Sequence, residues 1–459
     1  MSNENSVTRR DILGAGSALA LGILVGGAGP VEAVELVPEA EAGQGAGTKP
    51  GQKPATKAPA AAPAKPAEYA APAPPTVVCG VIGLGDQGRE ILRALTYLPG
   101  ADLRMACDTY EGVHRRAQEI APKATIVADY KQLLADKSIQ AVWVATPTHK
   151  HREIVEAALA AGKHVYCEMP LAHTVEDAKA IALAAKAAGK QVFHSGLQER
   201  TNPQHHHVYK FVSTGALGRS IASATSSWNK KISWRKTAAN DARERELNWR
   251  LDKSVTTGLA GEIGIHAIDT ASRFLGSRPV AVQGFGSVAL WRDGRDVADT
   301  IVLSVEYENG VRLNLNATLA NSFSGNYELF QGSDAAVLLK DPIEKNTRAW
   351  MFKEPDATAL GWEVYAYREK VGDDTGIALV ADASKLLKLG LTPGENRQVD
   401  PRKTPLYYAC EAFAEAVRGT KPSESGANVG LVATVVAIKA NEAIVTGNRI
   451  QLPKELLEA

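Results

Sequence analysis

The sequence lacks the features that mark several classes of protein. Only four of its 459 residues are cysteines, too few for a disulfide scaffold, and we expect all four to be reduced thiols. They are Cys79, Cys107, Cys167 and Cys410. The sequence has no C-x-x-C motif or His/Cys pairing, so we expect no metal site. Lys and Arg total 52 against 51 Asp and Glu, a balance that gives no global attraction to nucleic acid or to an anionic membrane.

The N-terminal region also lacks a strong hydrophobic block. Residues 8–13 read TRRDIL, which resembles a twin-arginine export signal, and a mildly apolar Gly/Ala-rich stretch follows. This composition suits export better than a stable membrane anchor. We predict a signal peptide over 1–33, with a disordered tail as the alternative, and an Ala/Pro-rich linker over 34–75. The mature chain is then periplasmic or otherwise exported, without a stable membrane span.

A nucleotide-binding pattern begins directly after the linker. Apolar, β-favouring residues lead into G-x-G-x-x-G, formed by Gly83, Gly85 and Gly88, and an amphipathic helical pattern follows. The first glycine permits the tight turn, the second lets backbone approach a pyrophosphate, and the third allows close helix–strand packing. The N–H groups that begin the helix favour phosphate. We therefore expect Asp86 and Gln87 to lie against a dinucleotide.

The ends of later strands supply further cofactor candidates. A second apolar strand ends at Asp108, 20 residues beyond Gly88. A carboxylate there binds ribose hydroxyls and repels a 2′-phosphate, so NAD is expected and NADP is less favoured. A structural βαβ unit with a solvated Asp108 is the alternative. A later strand runs into Thr146, Pro147 and His151, at the sheet edge where such folds bind ligands.

The pattern changes to a period of two in the second half of the chain. LNLNA at 313–317 alternates apolar and polar residues, which indicates an antiparallel sheet with one covered face. We predict an α/β fold with two domains. A Rossmann doubly wound parallel sheet occupies 76–197, and a C-terminal α+β domain with a large, mostly antiparallel open sheet occupies 198–459.

The order of motifs in the first domain resembles the Gfo/Idh/MocA family of sugar and polyol oxidoreductases. TP-x-x-x-H from Thr146 to His151 is followed by a helix, by AGKHVYCE-x-P ending at Pro170, and by the helix LAHTVEDA. The resemblance implies NAD(P)-dependent oxidation of a CH–OH group. It also implies cofactor contacts from Glu168, Met169 and Pro170, and a homo-oligomer formed through the C-terminal sheet.

One residue departs from the family pattern. The family has Glu-Lys-Pro where this chain has Glu168, Met169 and Pro170, and the family's lysine contacts nicotinamide and substrate. Methionine carries no charge and donates no proton, so either other residues do the acid–base work or net dehydrogenation is weak. A methionine that only packs beneath the nicotinamide is the alternative.

A second motif supplies catalytic candidates. GLAGEIGIHAID at 258–269 is similar to the family's D-x-G-x-H-x-x-D helix, with Glu262 in place of the first acid. Glu262 and His266 are four residues apart, so they share a helix face and can point into one pocket. The family uses this histidine as acid/base on the reacting hydroxyl. We expect Asp269 to orient the imidazole; a core histidine with a capping acid is the alternative.

A polar stretch at 229–253, with Trp228 before it and with Gln198 and Arg200 earlier in the chain, is expected to contact the substrate. Tryptophan faces stack on sugar C–H surfaces, and cationic side chains bind hydroxyls or carboxylates; a surface loop with its tryptophans packed down is the alternative. The candidates are Gln198, Arg200, Trp228, Lys230, Trp234 and Trp249. The triplet at 205–207, HHH, is interpreted as part of a solvated or partly packed helix, because consecutive helical side chains point in different directions.

These features predict an exported NAD-dependent oxidoreductase that acts on a saccharide or polyol hydroxyl. Outside the cytoplasm there is no ready pool of NAD, so we expect a tightly bound cofactor that is recycled within each catalytic cycle. One alternative is an NAD-dependent glycoside hydrolase or sugar-modifying enzyme that works through a transient keto-sugar. Another is a non-catalytic sugar-binding protein. The sequence leaves the role of 341–399 open.

Overall fold

The computed structural model describes residues 74–238, 240–341, 348–358, 361, 363, 366–381 and 400–459. The predicted signal peptide (1–33), the predicted linker up to residue 73, and parts of 341–399 lie outside the described residues.

The first domain is built on a parallel sheet. Its strands are β1 (Val77–Ile82), β2 (Ala101–Cys107), β3 (Thr125–Val127), β4 (Ala141–Val144), β5 (His164–Cys167) and β6 (Phe193–Ser195). Its helices are α1 (Asp86–Tyr97), α2 (His114–Ile120), α3 (Tyr130–Ala135), α4 (His151–Ala160) and α5 (Val175–Ala188). The strand order β3-β2-β1-β4-β5-β6 confirms the predicted doubly wound sheet. The order reverses between β1 and β4, and folds of this type bind their ligands in the crevice at that point.

Local sequence explains where these elements begin and end. Thr174 caps α5 by accepting a hydrogen bond from the Asp177 backbone N–H at 3.2 Å. Gly189 ends the same helix with φ +56°, a conformation that side chains disfavour. Strands β4 and β5 are almost entirely buried, since helices cover both faces of a parallel sheet, and this is why they appear in the sequence as continuous apolar runs.

The second domain is built on a larger sheet. Its strands are β7 (Ile221–Asn229), β8 (Pro279–Ser287), β9 (Thr300–Tyr307), β10 (Arg312–Thr318), β11 (Asn326–Gly332), β12 (Ala335–Asp341), β13 (Arg348–Lys353), β14 (Arg368–Val371), β15 (Asp374–Leu379) and β16 (Ile450–Gln451). Its order is β14-β15-β13-β12-β11-β7-β10-β9-β8-β16, and every pairing is antiparallel except that of β7 with β10. The remaining helices are α6 (Pro203–Ser213), α7 (Asp241–Leu247), α8 (Gly258–Glu262), α9 (Gly264–Leu275), α10 (Pro405–Val417) and α11 (Ala427–Thr446).

The period-two prediction is confirmed in β10. Leu313, Leu315 and Ala317 are buried, whereas Asn314 and Asn316 are exposed. The same alternation continues in β12. The described parts of 341–399 include β13, β14 and β15, so this stretch extends one edge of the sheet.

Helix α10 has a different location from the predicted one. The sequence assigned it to the second domain, but it packs against α1 and the first sheet. Phe413 lies edge-on to Trp143 of β4 with ring centroids 4.9 Å apart, and both rings are fully buried. The apolar face of α10 therefore completes the core of the Rossmann domain.

Helix α11 joins the two domains. It packs against α5 on one side and β8 on the other. The Leu171 backbone N–H donates to Thr434 Oγ1 at 3.0 Å, and the Ser195 backbone N–H donates to the Ser425 carbonyl at 2.6 Å. Among the described residues, α11 is the helix long and apolar enough to cross a membrane, but half of its apolar window is buried within the protein. Its apolar character is explained by this packing between the domains.

Candidate active site

A cleft of about 730 Å³ opens between the Rossmann sheet and the second domain. Many of the predicted site residues line it: Asp86, Gln87, Thr146, His151, Glu168, Met169, Gln198, Trp228, Lys230, Trp234, Trp249, Glu262 and His266. The other predicted residues are not part of its described lining: Gly83, Gly85, Gly88, Asp108, Pro147, Pro170, Arg200 and Asp269. Residues from distant parts of the sequence thus converge on one cavity.

The three glycines of the turn differ in how much space surrounds them. Gly83 has φ +94°, and a Cβ there would lie 2.5 Å from the Ala145 carbonyl oxygen. A Cβ on Gly88 would lie 1.8 Å from the Gly83 carbonyl oxygen. The fold therefore requires both of these glycines. At Gly85 a Cβ would meet no described atom within 4 Å, so this glycine leaves open space beside the start of α1.

Other features fit a dinucleotide at this turn. The hydroxyl of Thr146 is buried and has no hydrogen-bond partner among the described residues, although the residue lines the cleft. Asp108 accepts hydrogen bonds from the backbone N–H groups of Leu84 and Tyr110, both at 2.8 Å. These bonds hold its carboxylate beside the glycine turn. These residues fit NAD: Gly85 would leave room for a pyrophosphate, and Asp108 would accept hydrogen bonds from ribose hydroxyls.

His151 connects two loops of the cofactor side. Its Nδ1 lies 3.0 Å from the Pro170 carbonyl oxygen, and its Nε2 lies 2.9 Å from the Thr146 carbonyl oxygen. Burial lowers the pKa of His151 to about 4, so the imidazole is neutral and donates to one of these oxygens. His151, which is predicted to bind the cofactor, lines the cleft, and its ring nitrogens hold together the loops that carry Thr146 and Pro170.

Glu168 and Met169 lie in the floor of the cleft. Gln87 donates to Glu168 Oε1 at 3.0 Å. Burial nevertheless raises the pKa of Glu168 to about 7, because neutral donors compensate only part of the cost of removing a carboxylate from water. The Met169 side chain is buried at 8% exposure. It presents an apolar surface where the family pattern has an ammonium group.

Glu262 is held by a cation that was not among our predictions. Arg250 Nε donates to Glu262 Oε2 at 2.8 Å, while the Thr148 and Thr257 hydroxyls donate to Oε1 at 3.4 and 3.3 Å. The Glu262 side chain is only 4% exposed. Burial raises the pKa of Glu262, and the Arg250 charge opposes that rise.

A buried Glu–His–Glu cluster lies near His266. His205 Nδ1 lies 2.8 Å from Glu199 Oε2, and His205 Nε2 lies 3.1 Å from Glu328 Oε2. Burial disfavours the charged imidazole, but the two carboxylates outweigh it and raise the pKa of His205 to about 10. Although burial disfavours its charged form, the pKa of Glu199 is lowered by attraction to His205 and, to a smaller extent, to His266. We had not predicted that any of these cluster residues would line the cleft.

The HHH triplet therefore has mixed surroundings. His205 is buried within the cluster, whereas the His206 side chain is 40% exposed and lies 3.8 Å from Glu424. The ring of His207 contacts Phe211. The prediction that the three side chains point in different directions is confirmed. The helix was predicted to be solvated or only partly packed, however, and His205 is buried more deeply than that.

The prediction for Arg200 needs correction. Its guanidinium makes three hydrogen bonds to both carboxylate oxygens of Asp269, at 2.8 to 3.1 Å. Arg200 is therefore engaged in a buried ion pair instead of the predicted substrate contact. The spacing of Asp269 from His266 suggested that these two residues interact. The ion pair of Asp269 with Arg200 could not be predicted from local spacing, because Arg200 and Asp269 are 69 positions apart.

The bridging segment, residues 229–238 and 240–253, lies along one wall of the cleft. Trp234, in its middle, has φ +62°, which costs a bulky residue about 1–3 kcal/mol. The backbone is held there by buried Arg295, which donates to the Ser233 carbonyl at 2.5 Å. Trp228 and Trp249 also line the cleft. A strained aromatic residue at a cleft surface is a feature of binding sites.

The bridging segment also contacts the nucleotide side. Lys236 donates at 2.5 Å to the carboxylate of Asp86, the residue directly after Gly85. Asn248 fixes Lys236 by bonding to both its backbone N–H and its carbonyl at 2.7 Å. The Arg243 guanidinium lies 3.9 Å from the ring centroid of Tyr110, two residues after Asp108. The segment is thus attached to the first domain at two points, within the glycine turn and two residues after Asp108.

Two alanine substitutions should distinguish an effect on cofactor binding from an effect on the stability of the fold. Gly85→Ala adds a methyl group into open space, so we expect unchanged stability but NAD binding weakened about tenfold or more. Gly88→Ala forces the turn apart and should lower the free energy of unfolding by about 1–3 kcal/mol. Thermal melting of the nucleotide-free protein and NAD titration measure the two effects. Unchanged NAD affinity in Gly85→Ala would refute the assignment of this space.

The buried carboxyl of Glu168 predicts a pH effect on stability. Its folded pKa of about 7 exceeds the ordinary value of 4.5, so the folded state binds more protons between these pH values. The stability contribution of Glu168 is therefore complete below about pH 4.5 and is lost as the pH rises to 7. Relative to the unmodified protein, Glu168→Gln should gain as much as about 3 kcal/mol between pH 4.5 and 8. A pH-independent difference in urea denaturation would contradict this prediction.

Two sequence models of one oxidoreductase family match the chain. Residues 77–195 match the Gfo/Idh/MocA oxidoreductase family, NAD-binding Rossmann fold, and residues 205–336 match the Gfo/Idh/MocA C-terminal domain. Together they cover more than half of the chain.

Individual relatives agree with this result. Levoglucosan dehydrogenase of Pseudarthrobacter phenanthrenivorans is 29% identical over 238 residues, which cover 46% of this chain and 58% of that protein. Inositol 2-dehydrogenase 1 of Saccharopolyspora erythraea is 33% identical over 145 residues, 31% of this chain and 43% of that protein. The matched stretches thus span about half of the length of these relatives.

Solved structures share the fold. Levoglucosan dehydrogenase in complex with NADH and levoglucosan superimposes with a TM-score of 0.65 at 21% identity, covering 83% of this chain and all of the other. Scyllo-inositol dehydrogenase from Lactobacillus casei, with bound NAD(H) and scyllo-inositol, gives 0.61 at 17% identity, covering 82% and 99%. On the two sequence models, the chain belongs to the Gfo/Idh/MocA family of oxidoreductases, whose NAD-binding Rossmann fold forms its first domain.

Proposed function

We propose that this protein is an NAD-dependent oxidoreductase that acts on a hydroxyl group of a saccharide or polyol. The observation that carries the proposal is that His266 and Glu262 line the same cleft as Asp86 and Gln87 of the Rossmann turn. Relatives named for levoglucosan and inositol support a cyclic, polyhydroxylated substrate.

The chemistry of the reaction divides between cofactor and protein. When bound, NAD supplies the two-electron acceptor for hydride from a carbinol carbon. His266 exchanges the proton of the reacting hydroxyl, a task that suits an imidazole near neutral pH. The carboxylate of Glu199 attracts His266 electrostatically and so favours the imidazolium that forms when the proton arrives.

The bridging segment is suited to bind a sugar. Trp228, Trp234 and Trp249 line the cleft together, and their faces stack on the C–H surfaces of a ring. Lys230 and Gln198 line the same cleft and offer donors to hydroxyl groups. These contacts fix the ring so that one carbinol faces His266.

The cofactor is proposed to be NAD in preference to NADP. Asp108 is held beside the glycine turn by two backbone hydrogen bonds. Its negative charge would repel a 2′-phosphate, while its oxygens accept hydrogen bonds from ribose hydroxyls.

Substitution of His266 tests the function. We expect sugar to reduce the nucleotide in the unmodified protein, and His266→Ala to slow this by about 10²–10⁴-fold with little change in NAD affinity. The measurement is the absorbance of reduced nicotinamide during exposure to a panel of anhydrosugars, inositols and aldoses. His206→Ala is the matched control, since His206 lies on α6 outside the described lining of the cleft.

Two outcomes would replace the proposal. If no sugar changes the redox state of the nucleotide and sugars still bind, a non-catalytic sugar-binding protein is favoured. If a glycoside is cleaved without net accumulation of reduced nucleotide, the glycoside hydrolase that works through a transient keto-sugar is favoured.

We further propose that NAD stays bound through the catalytic cycle: the NADH formed when one carbinol is oxidised returns its hydride to a carbonyl group, either of a second sugar or of the same oxidised sugar, and NAD is regenerated. The Lys236–Asp86 ion pair attaches the bridging segment to the first domain within the glycine turn, and the Arg243–Tyr110 contact attaches it after the end of β2. Release of a dinucleotide would require at least one of these contacts to open. Retention suits an exported enzyme, and the twin-arginine pattern in residues 8–13 supports export.

Cofactor exchange tests this retention. The purified protein should contain NAD(H), and added NAD should not accelerate turnover. The double variant Lys236→Ala/Arg243→Ala should release nucleotide at least about tenfold faster, because both attachments are lost. Arg245→Ala, on the exposed side of α7, is the control. A nucleotide-free protein that turns over only with added NAD would contradict retention.

The second sheet is proposed to form a homo-oligomer. Phe285 of β8 and Val302 of β9 are paired in register, and they are 67% and 53% exposed. Two adjacent apolar side chains on an outer sheet face favour association with another sheet.

A further inference from the structure

Arg250 differs in its ion-pair partner from two other cations that line the cleft, Lys236 and Arg235. Lys236 is paired with Asp86, and Arg235 is paired with Glu244 and Asp293. These three partners all lie outside α8 and α9, the helices that carry Glu262 and His266. Arg250, by contrast, is bonded at 2.8 Å to Glu262 itself.

The surroundings of Arg250 hold its guanidinium in one orientation. Its central carbon lies 4.4 Å from the ring centroid of Trp249 and 5.9 Å from that of Trp234. Cation–π contacts of this kind favour a charged group at an aromatic surface. The tryptophans and Glu262 therefore fix a long side chain that would otherwise be mobile.

Part of the guanidinium remains available to a ligand. Within the described residues, only Nε makes a hydrogen bond, and the side chain is 41% exposed. The Nη atoms of arginine carry four further N–H donors. Because the residue lines the cleft, these donors can reach a bound oxygen atom.

The floor of the cleft creates a need for this positive charge. Oxidation of a hydroxyl group moves negative charge onto its oxygen as the proton leaves, and a fixed cation stabilises that charge. Glu168 and Glu262 are acidic, and Met169 offers an apolar side chain. Arg250 is close enough to both acids to lower their pKa values, although burial raises each of them overall.

We infer that Arg250 is a catalytic residue, resting on the proposed function, whose Nη donors bind the oxygen of the reacting carbinol. Its guanidinium does not lose its proton in the accessible pH range. It therefore acts by charge and hydrogen bonding, while His266 moves the proton. One titratable cation could supply both the positive charge and the proton transfer. In this cleft Arg250 supplies the charge and His266 moves the proton.

Moving the charge within the cleft tests this inference. Arg250→Met should reduce kcat/KM for the sugar by about 10²-fold or more. The double variant Met169→Lys/Arg250→Met returns a cation to the cleft floor and should recover at least about tenfold of that loss. Arg245→Met, which removes an exposed arginine of α7, should leave kcat/KM unchanged.

A binding measurement makes the test independent of turnover. Protein loaded with NADH cannot oxidise a polyol, so calorimetry then reports affinity alone. Arg250→Met should weaken polyol binding, while the nucleotide released by denaturation stays equal to that of the unmodified protein. Arg250→Lys keeps the charge but has fewer donors, so its polyol affinity should fall between those of the unmodified protein and Arg250→Met. It also provides a milder variant if Arg250→Met unfolds at a lower temperature.

The outcomes distinguish this role from the function on which it rests. Unmodified protein that neither binds nor oxidises any sugar would overturn both. An active protein in which Arg250→Met keeps kcat/KM within about threefold would overturn the role of Arg250 alone. So would a well-folded double variant no better than Arg250→Met, because Arg250 would then serve only as the structural partner of Glu262.

Discussion

Compensation of buried carboxylates is the constraint on which this cleft depends. Glu168, Glu199, Glu262 and Glu328 all lie in its lining, and an isolated buried carboxylate is costly. Each has a partner from another part of the chain: Gln87 for Glu168, His205 for Glu199 and Glu328, and Arg250 for Glu262. Arg250 thus joins the bridging segment to α8, and the Thr148 hydroxyl, which donates to Glu262 at 3.4 Å, joins the Rossmann domain to the second domain.

The same constraint explains how the protein differs from its family pattern. A lysine at residue 169 would lie beside a buried acid, whereas Met169 leaves Glu168 with a neutral hydrogen-bond donor. The carboxyl therefore has a pKa of about 7 and is balanced between its two states near neutral pH. Positive charge enters the cleft from the bridging segment instead, through Arg250.

The sequence predicts most of the fold but only part of the site. The glycine turn, the buried strands and the alternation in 313–317 are local patterns, so they identify both sheets. The ion pairs of Arg200 with Asp269 and of Lys236 with Asp86 join residues 69 and 150 positions apart. No local period encodes such pairings. Glu199 gave only a weak signal, its position between two predicted site residues, and the burial of His205 could not be read from a triplet of identical residues.

The left-handed backbone of Trp234 has a consequence for how this protein can evolve. Glycine at this residue would relieve the backbone strain of about 1–3 kcal/mol, and asparagine would tolerate the conformation better than tryptophan. Either change would remove the aromatic surface beside Arg250. If Trp234 binds the sugar as proposed, selection for a more stable fold and selection for ligand binding act in opposite directions at this residue. Natural variation there would record which of the two pressures has been stronger in a given lineage.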